Sequence, residues 1–132
     1  MLRHLIIAGG FFHLGFAAFH LLFWRVFRWK EELRRLGPIN RGVMQVLNLC
    51  LTFVFLIFAY LSLFLPDEML TTPVGRPLLA WIAVFWLLRA FQQLIFFSRR
   101  QWASWALFAL LLVGAGLYGI PFALTGPWAF LR

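Results

Sequence analysis

The sequence predicts an all-α integral membrane protein, a single domain over residues 1–132 built as a four-helix bundle with antiparallel, up-and-down connections. Three observations predict it. Four apolar runs, at about 5–24, 43–65, 78–97 and 102–124, each reach about 30 Å or somewhat more at 1.5 Å per residue, the thickness of a hydrocarbon core. Residues that stop helices, Gly37-Pro38, Pro66 and Pro73, fall between the first three runs. Finally, 64% of the chain is hydrophobic and 12% charged, with a mean hydropathy of +0.89, which excludes a water-soluble globular domain.

Taken in order, the first run follows Arg3 and resembles the start of a secretory signal, but its length and the lack of an A-x-A-like cleavage site favour a retained span. The connection 25–42 repeats apolar residues at Val26, Trp29, Leu33 and Leu36, so helix one is expected to continue out of the membrane or bend along its surface. Within it Glu31 and Glu32 stand three or four residues from Arg28, Arg34 and Arg35, a spacing that pairs charges on a helix. Trp24, Trp29, Trp102 and Trp105 fit an aromatic belt at one interface, and Trp128 at the other. Ala8, Gly9 and Gly10 in the first span and Gly114, Ala115, Gly116 and Gly119 in the fourth predict that these two helices approach closely.

Charge sets the orientation. Arg25, Arg28, Lys30, Arg34, Arg35, Arg41, Arg99 and Arg100 lie in the first and third connections, against Arg3, Arg76 and Arg132 on the other side. The positive-inside rule then places both termini on the non-cytoplasmic face of what reads as a bacterial inner membrane. The net charge of +8 is clustered beside apolar runs, which points to the lipid bilayer and its anionic headgroups as partners rather than to nucleic acid. Cys50 is the single cysteine and lies in an apolar run, so neither an intrachain disulfide nor a cysteine zinc site can form.

Ionisable and amide side chains inside spans are costly and mark candidate sites. His13 and His20 lie seven apart on the first helix, Arg41, Gln45, Asn48 and Thr52 form one face of the second, and Arg89, Gln92 and Gln93 belong to the third. His20, Asn48, Gln93 and Arg89 fall roughly 6–12 Å from the cytoplasmic ends of their spans, so one polar layer is expected there. Its candidate ligand-binding residues are His20, Arg41, Gln45, Asn48, Arg89 and Gln93, with His13 and Gln92 secondary. No catalytic residue can be assigned, and no metal site is expected, because the histidines have no acid or useful cysteine beside them. Arg89 is the sharpest feature: all four acids, Glu31, Glu32, Asp67 and Glu68, lie in connections, so its charge must find carbonyls, amides, water or a bound anion, unless its long side chain snorkels to the headgroups.

These residues support binding or transport of an anionic lipid-like or small anionic ligand. A second expectation is an accessory or structural subunit of a larger membrane complex, whose aromatic surfaces meet lipid, sibling subunits or an isoprenoid tail. The four-span architecture and the row Arg41, Gln45, Asn48 also resemble the MAPEG family of glutathione-dependent membrane transferases, in which Arg, Asn and Glu take comparable spacing on the second helix. Arg41 matches outright; Asn48 stands where the family has Glu, and Arg89 and Gln93 where it has tyrosines. No cofactor is identified: His13 and His20 are about 10 Å apart along the helix and cannot both ligate one haem, so haem would need a second chain and hence an oligomer. Proton-coupled transport is less favoured, since no span holds a carboxylate.

Overall fold

The computed structural model describes residues 1–98 and 100–126, and so Arg99, Trp128 and Arg132 of the charge and tryptophan patterns lie outside the described residues. Among the described residues there are seven α-helices: α1 (Leu2–Leu21), α2 (Phe23–Val26), α3 (Trp29–Glu32), α4 (Pro38–Phe64), α5 (Pro66–Thr71), α6 (Gly75–Phe96) and α7 (Trp102–Leu124), with a 3-10 turn at Leu33–Arg35. Four of them, α1, α4, α6 and α7, are long and apolar enough to cross a membrane. The protein is an all-α, multi-pass integral membrane protein.

Local chemistry explains the boundaries. Helix α7 begins and ends where the apolar run does, closing on Thr125, whose hydroxyl donates to the Pro121 carbonyl at 2.7 Å. Helix one does not run on; it breaks at Leu22, and Arg28, at φ 51°, turns the chain between α2 and α3 so that Trp29 and Leu33 fold inward. Gly37-Pro38 stops this excursion and also starts α4, because proline at the first helical position lacks only an N–H that would have been orphaned anyway. With 27 residues, α4 is roughly 40 Å long, more than a hydrocarbon core of about 30 Å requires. Pro66 likewise opens α5. Ion pairing in the excursion joins Arg28 to Glu31 and Arg35 to Glu32, while Arg3 reaches Asp67 at 3.3 Å at the other end of the bundle.

The long helices pack as two hairpins, α1 on α4 and α6 on α7, with α1 also against α7. The α1–α7 approach expected from the small residues is present, but α1 packs more broadly on α4. The reason is that its glycines receive side chains instead of meeting glycines. A Cβ on Gly9 would stand 2.5 Å from the Tyr118 hydroxyl, one on Gly10 2.6 Å from Leu63, and one on Gly114 2.7 Å from Phe12. Helices α4 and α6 meet through aromatic side chains: Phe55 stacks on Trp86 at 5.4 Å and sits edge-on to Phe85 at 6.0 Å.

Candidate functional site

Two polar regions lie inside the bundle, and they differ in how completely they are satisfied. The first joins all four long helices. Trp86 of α6 places its indole Nε1 3.1 Å from His13 Nε2. Indole N–H only donates, so Nε2 accepts and the imidazole proton is on Nδ1. Nδ1 lies 2.9 Å from both the Gly9 carbonyl and the Tyr118 hydroxyl, which share its N–H. Tyr118 of α7 then donates to Ser62 of α4 at 2.7 Å, and Ser62 turns its own proton to Met69 Sδ on α5 at 4.0 Å. A donor-only end and an acceptor-only end fix the direction of the whole chain. His13, Ser62 and Tyr118 have no exposed surface, and the rings of Phe55 and Phe58 close over the imidazole. Such a fully paired network is stabilising in a medium where no water would replace a lost partner.

The second region lies nearer the basic connections, where the polar layer was expected. The Asn48 amide donates to the His20 carbonyl at 3.0 Å, tying α4 to α1, and Gln93 donates to Ser104 at 2.9 Å, tying α6 to α7. Both amides leave their oxygen buried without a partner, as Arg89 leaves Nη1. The Arg89 guanidinium lies 5.3 Å over the Phe97 ring, an attraction that offsets only part of the cost of burying the charge. His20 donates Nδ1–H to the Phe16 carbonyl at 2.9 Å and stacks on Phe23 at 4.4 Å. His20 and Arg89 together line a small cavity of ≈ 60 Å³, walled otherwise by aromatic and leucine side chains. Gln92 is half-buried on the neighbouring face of α6.

Arg41 and Gln45, read from the sequence as part of the same layer, stand apart from His20 and Arg89. Arg41 donates to the carbonyls of Leu33, Arg34 and Leu36 at 2.8, 3.3 and 3.2 Å, and Gln45 donates to the Arg41 carbonyl at 3.2 Å. Arg41 thus caps the carbonyl end of the 3-10 turn and pins the excursion to α4, a cation where the turn is most negative. Around it opens a cleft of ≈ 480 Å³ lined by Trp24, Arg25, Trp29, Lys30, Leu33, Arg34, Arg41 and Gln45. Glu31 and Glu32 face Arg28 and Arg35, so among the described residues no carboxylate pairs with Arg25, Lys30, Arg34 or Arg41.

Ser62, Trp86 and Tyr118 are the members of the central network that the search for ionisable residues passed over. Their signal was present: Trp86 and Tyr118 lie well inside spans, away from the headgroup level where such rings usually sit, and each brings a donor that must be matched. With both ring nitrogens engaged, His13 has none free for a metal or haem. Among the described residues no three His, Cys, Asp or Glu side chains cluster as metal ligands.

Fold and site together define a small multi-pass α-helical membrane protein with a sealed polar centre and a basic cleft. No protein-family model, no curated protein and no solved structure matches the chain. The MAPEG resemblance gains nothing from the geometry either, since Arg41, Gln45 and Asn48 direct their hydrogen bonds to backbone carbonyls.

Proposed function

We propose that this protein binds an anionic lipid headgroup at the end of the bundle that carries the basic connections. The observation that supports this most directly is the open cleft in which Arg25, Lys30, Arg34 and Arg41 converge beside two tryptophans with the nearby carboxylates taken by other arginines. A phosphodiester satisfies such a cleft well: its oxygens accept from several cations at once, and the indole rings of Trp24 and Trp29 favour the glycerol and ester level of the bilayer. In this reading the cleft faces the cytoplasm, following the positive-inside rule, and both termini face away from it.

Each basic residue near an anionic membrane surface contributes about 1 kcal/mol, so Arg25, Lys30 and Arg34 together account for about 3 kcal/mol, roughly a hundredfold in affinity. Arg41 is left out of the test because it also holds the excursion in place. In native mass spectrometry of the purified protein, phosphatidylglycerol is expected to be retained in preference to phosphatidylcholine. The triple variant Arg25→Gln, Lys30→Gln, Arg34→Gln is expected to lose that preference by about two orders of magnitude. Equal retention of both lipids by the unaltered protein, or an undiminished preference in the variant, would falsify the reading.

A further inference from the structure

A second recess opens at the apolar surface of the bundle. It is a groove of ≈ 620 Å³ between α1 and α7, lined by Phe12, Gly15, Phe16, Phe19, Leu107 and Leu110 among others, and nearly free of polar surface. Three of its walls, Phe16, Phe19 and Leu107, are also walls of the small cavity that holds His20 and Arg89. Groove and cavity thus share a wall, and a hydrocarbon chain lying along the groove comes within one side chain of the polar pair. Along α1 the groove runs from Phe12 to Phe19, about 10 Å, which is the direction a lipid tail takes from the interface toward the bilayer centre.

The polar end restricts what the chain can carry. Arg89 brings a positive charge with Nη1 buried and unpartnered. No carboxylate of the described chain reaches it: Glu31, Glu32 and Asp67 pair elsewhere, and Glu68 lies in α5, whose contacts are with α1, α4 and the Gly75 end of α6. His20, by giving its Nδ1 proton to the Phe16 carbonyl, keeps a bare lone pair on Nε2 when neutral. The complement is a group with an acceptor for Arg89 and a proton to share with His20. A cavity of ≈ 60 Å³ has room for a small head such as a carboxyl group.

We infer that the α1–α7 groove and the His20–Arg89 cavity form one site for a long-chain fatty acid, with its carboxyl group between His20 and Arg89 and its alkyl chain along Gly15. One carboxyl oxygen accepts from the Arg89 guanidinium, and the other shares a single proton with His20 Nε2. The site is separate from the basic cleft and goes beyond the headgroup reading: it selects a single tail and a small acidic head, and none of the cleft cations lines it.

Gly15 makes the tail end testable without disturbing the fold, because a Cβ there meets nothing within 4 Å. Delipidated full-length protein is titrated with palmitic acid and, separately, with its methyl ester, and bound mass is read by native mass spectrometry. One palmitic acid per chain is expected, with the ester at least tenfold weaker. Gly15→Leu, which fills the groove, and Arg89→Gln, which removes the charge, are each expected to lower acid binding at least tenfold with unchanged helicity by circular dichroism. Arg89→Lys is expected to restore part of it. The triple cleft variant is expected to bind the acid like the unaltered protein, so failure of this site and failure of the cleft are read separately. Equal binding of acid and ester, acid binding undiminished in Arg89→Gln or Gly15→Leu, or displacement of the acid by phosphatidylglycerol at equal concentration would overturn the assignment. Should Arg89→Gln not fold, the acid-against-ester comparison on the unaltered protein decides alone.

Discussion

The two polar regions of the bundle lie about two helical turns apart on α1, at His13 and His20, yet they obey opposite rules. Around His13 every donor has an acceptor, all four long helices contribute, and nothing is left to offer a ligand. Around His20 and Arg89 the helices are tied only in pairs, and Asn48 Oδ1, Gln93 Oε1 and Arg89 Nη1 are buried without partners. Equal polarity in sequence thus separates into a region that holds the bundle together and one that weakens it. A bare polar group in lipid is retained at a cost, and the natural gain for that cost is recognition.

Substitutions can break this contrast directly. The largest effect is expected from Trp86→Ala, which removes the donor to His13 and opens a cavity under Phe55, Phe12 and Phe16, at about 3–5 kcal/mol in an unfolding titration. Arg89→Leu is expected to act in the other direction, stabilising the delipidated protein by about 2 kcal/mol, because it relieves a buried charge with no counter-ion. A destabilised Arg89→Leu would mean that the layer is a structural network like the centre. Third comes a glycine pair. Gly9→Ala forces a methyl group against Tyr118 and is expected to cost about 1–3 kcal/mol, whereas Gly15→Ala, facing open space, is expected to be neutral or to stabilise by up to about 1 kcal/mol. Similar effects at the two positions would show that Gly9 is not where Tyr118 packs.

Much of this was legible in the residues. The run 102–124 coincides with α7, since Gln101 and Thr125 flank an uninterrupted apolar stretch. His13, singled out as an ionisable residue within a span, is buried on α1 between Gly9 and Ala17, and Asn48 and Gln93 are buried on α4 and α6. The break after Leu21 was not legible, because Leu22, Phe23 and Trp24 continue the hydropathy of α1 and the turn depends on Arg28 taking a left-handed conformation that no glycine announces. Nor was the parting of Arg41 and Gln45 from His20 and Arg89. Periodicity places residues on a face, but α4 begins five residues before its apolar run, and Arg41 lies in that overhang. The central network escaped for a different reason: Ser62, Trp86 and Tyr118 are uncharged, and only their three-dimensional meeting with His13 gives them a role.

The pairing of α1 with α4 and of α6 with α7 also bears on how the chain is assembled. Consecutive helices form each hairpin, and the link between the hairpins is short, so most contacts of either can form as soon as it has entered the bilayer. The early hairpin carries the lone pair of His13 and the hydroxyl of Ser62; the late one brings Trp86 and Tyr118 to meet them. Docking of the halves is thus proofread by hydrogen bonding, since a mis-rotated second hairpin would leave an imidazole, a hydroxyl and an indole stranded in hydrocarbon. The same logic makes the connection at 72–74 a seam: segments 1–71 and 72–132, produced as separate chains, contain complementary halves of the network and are expected to co-purify, and to stop doing so when His13 is replaced by leucine.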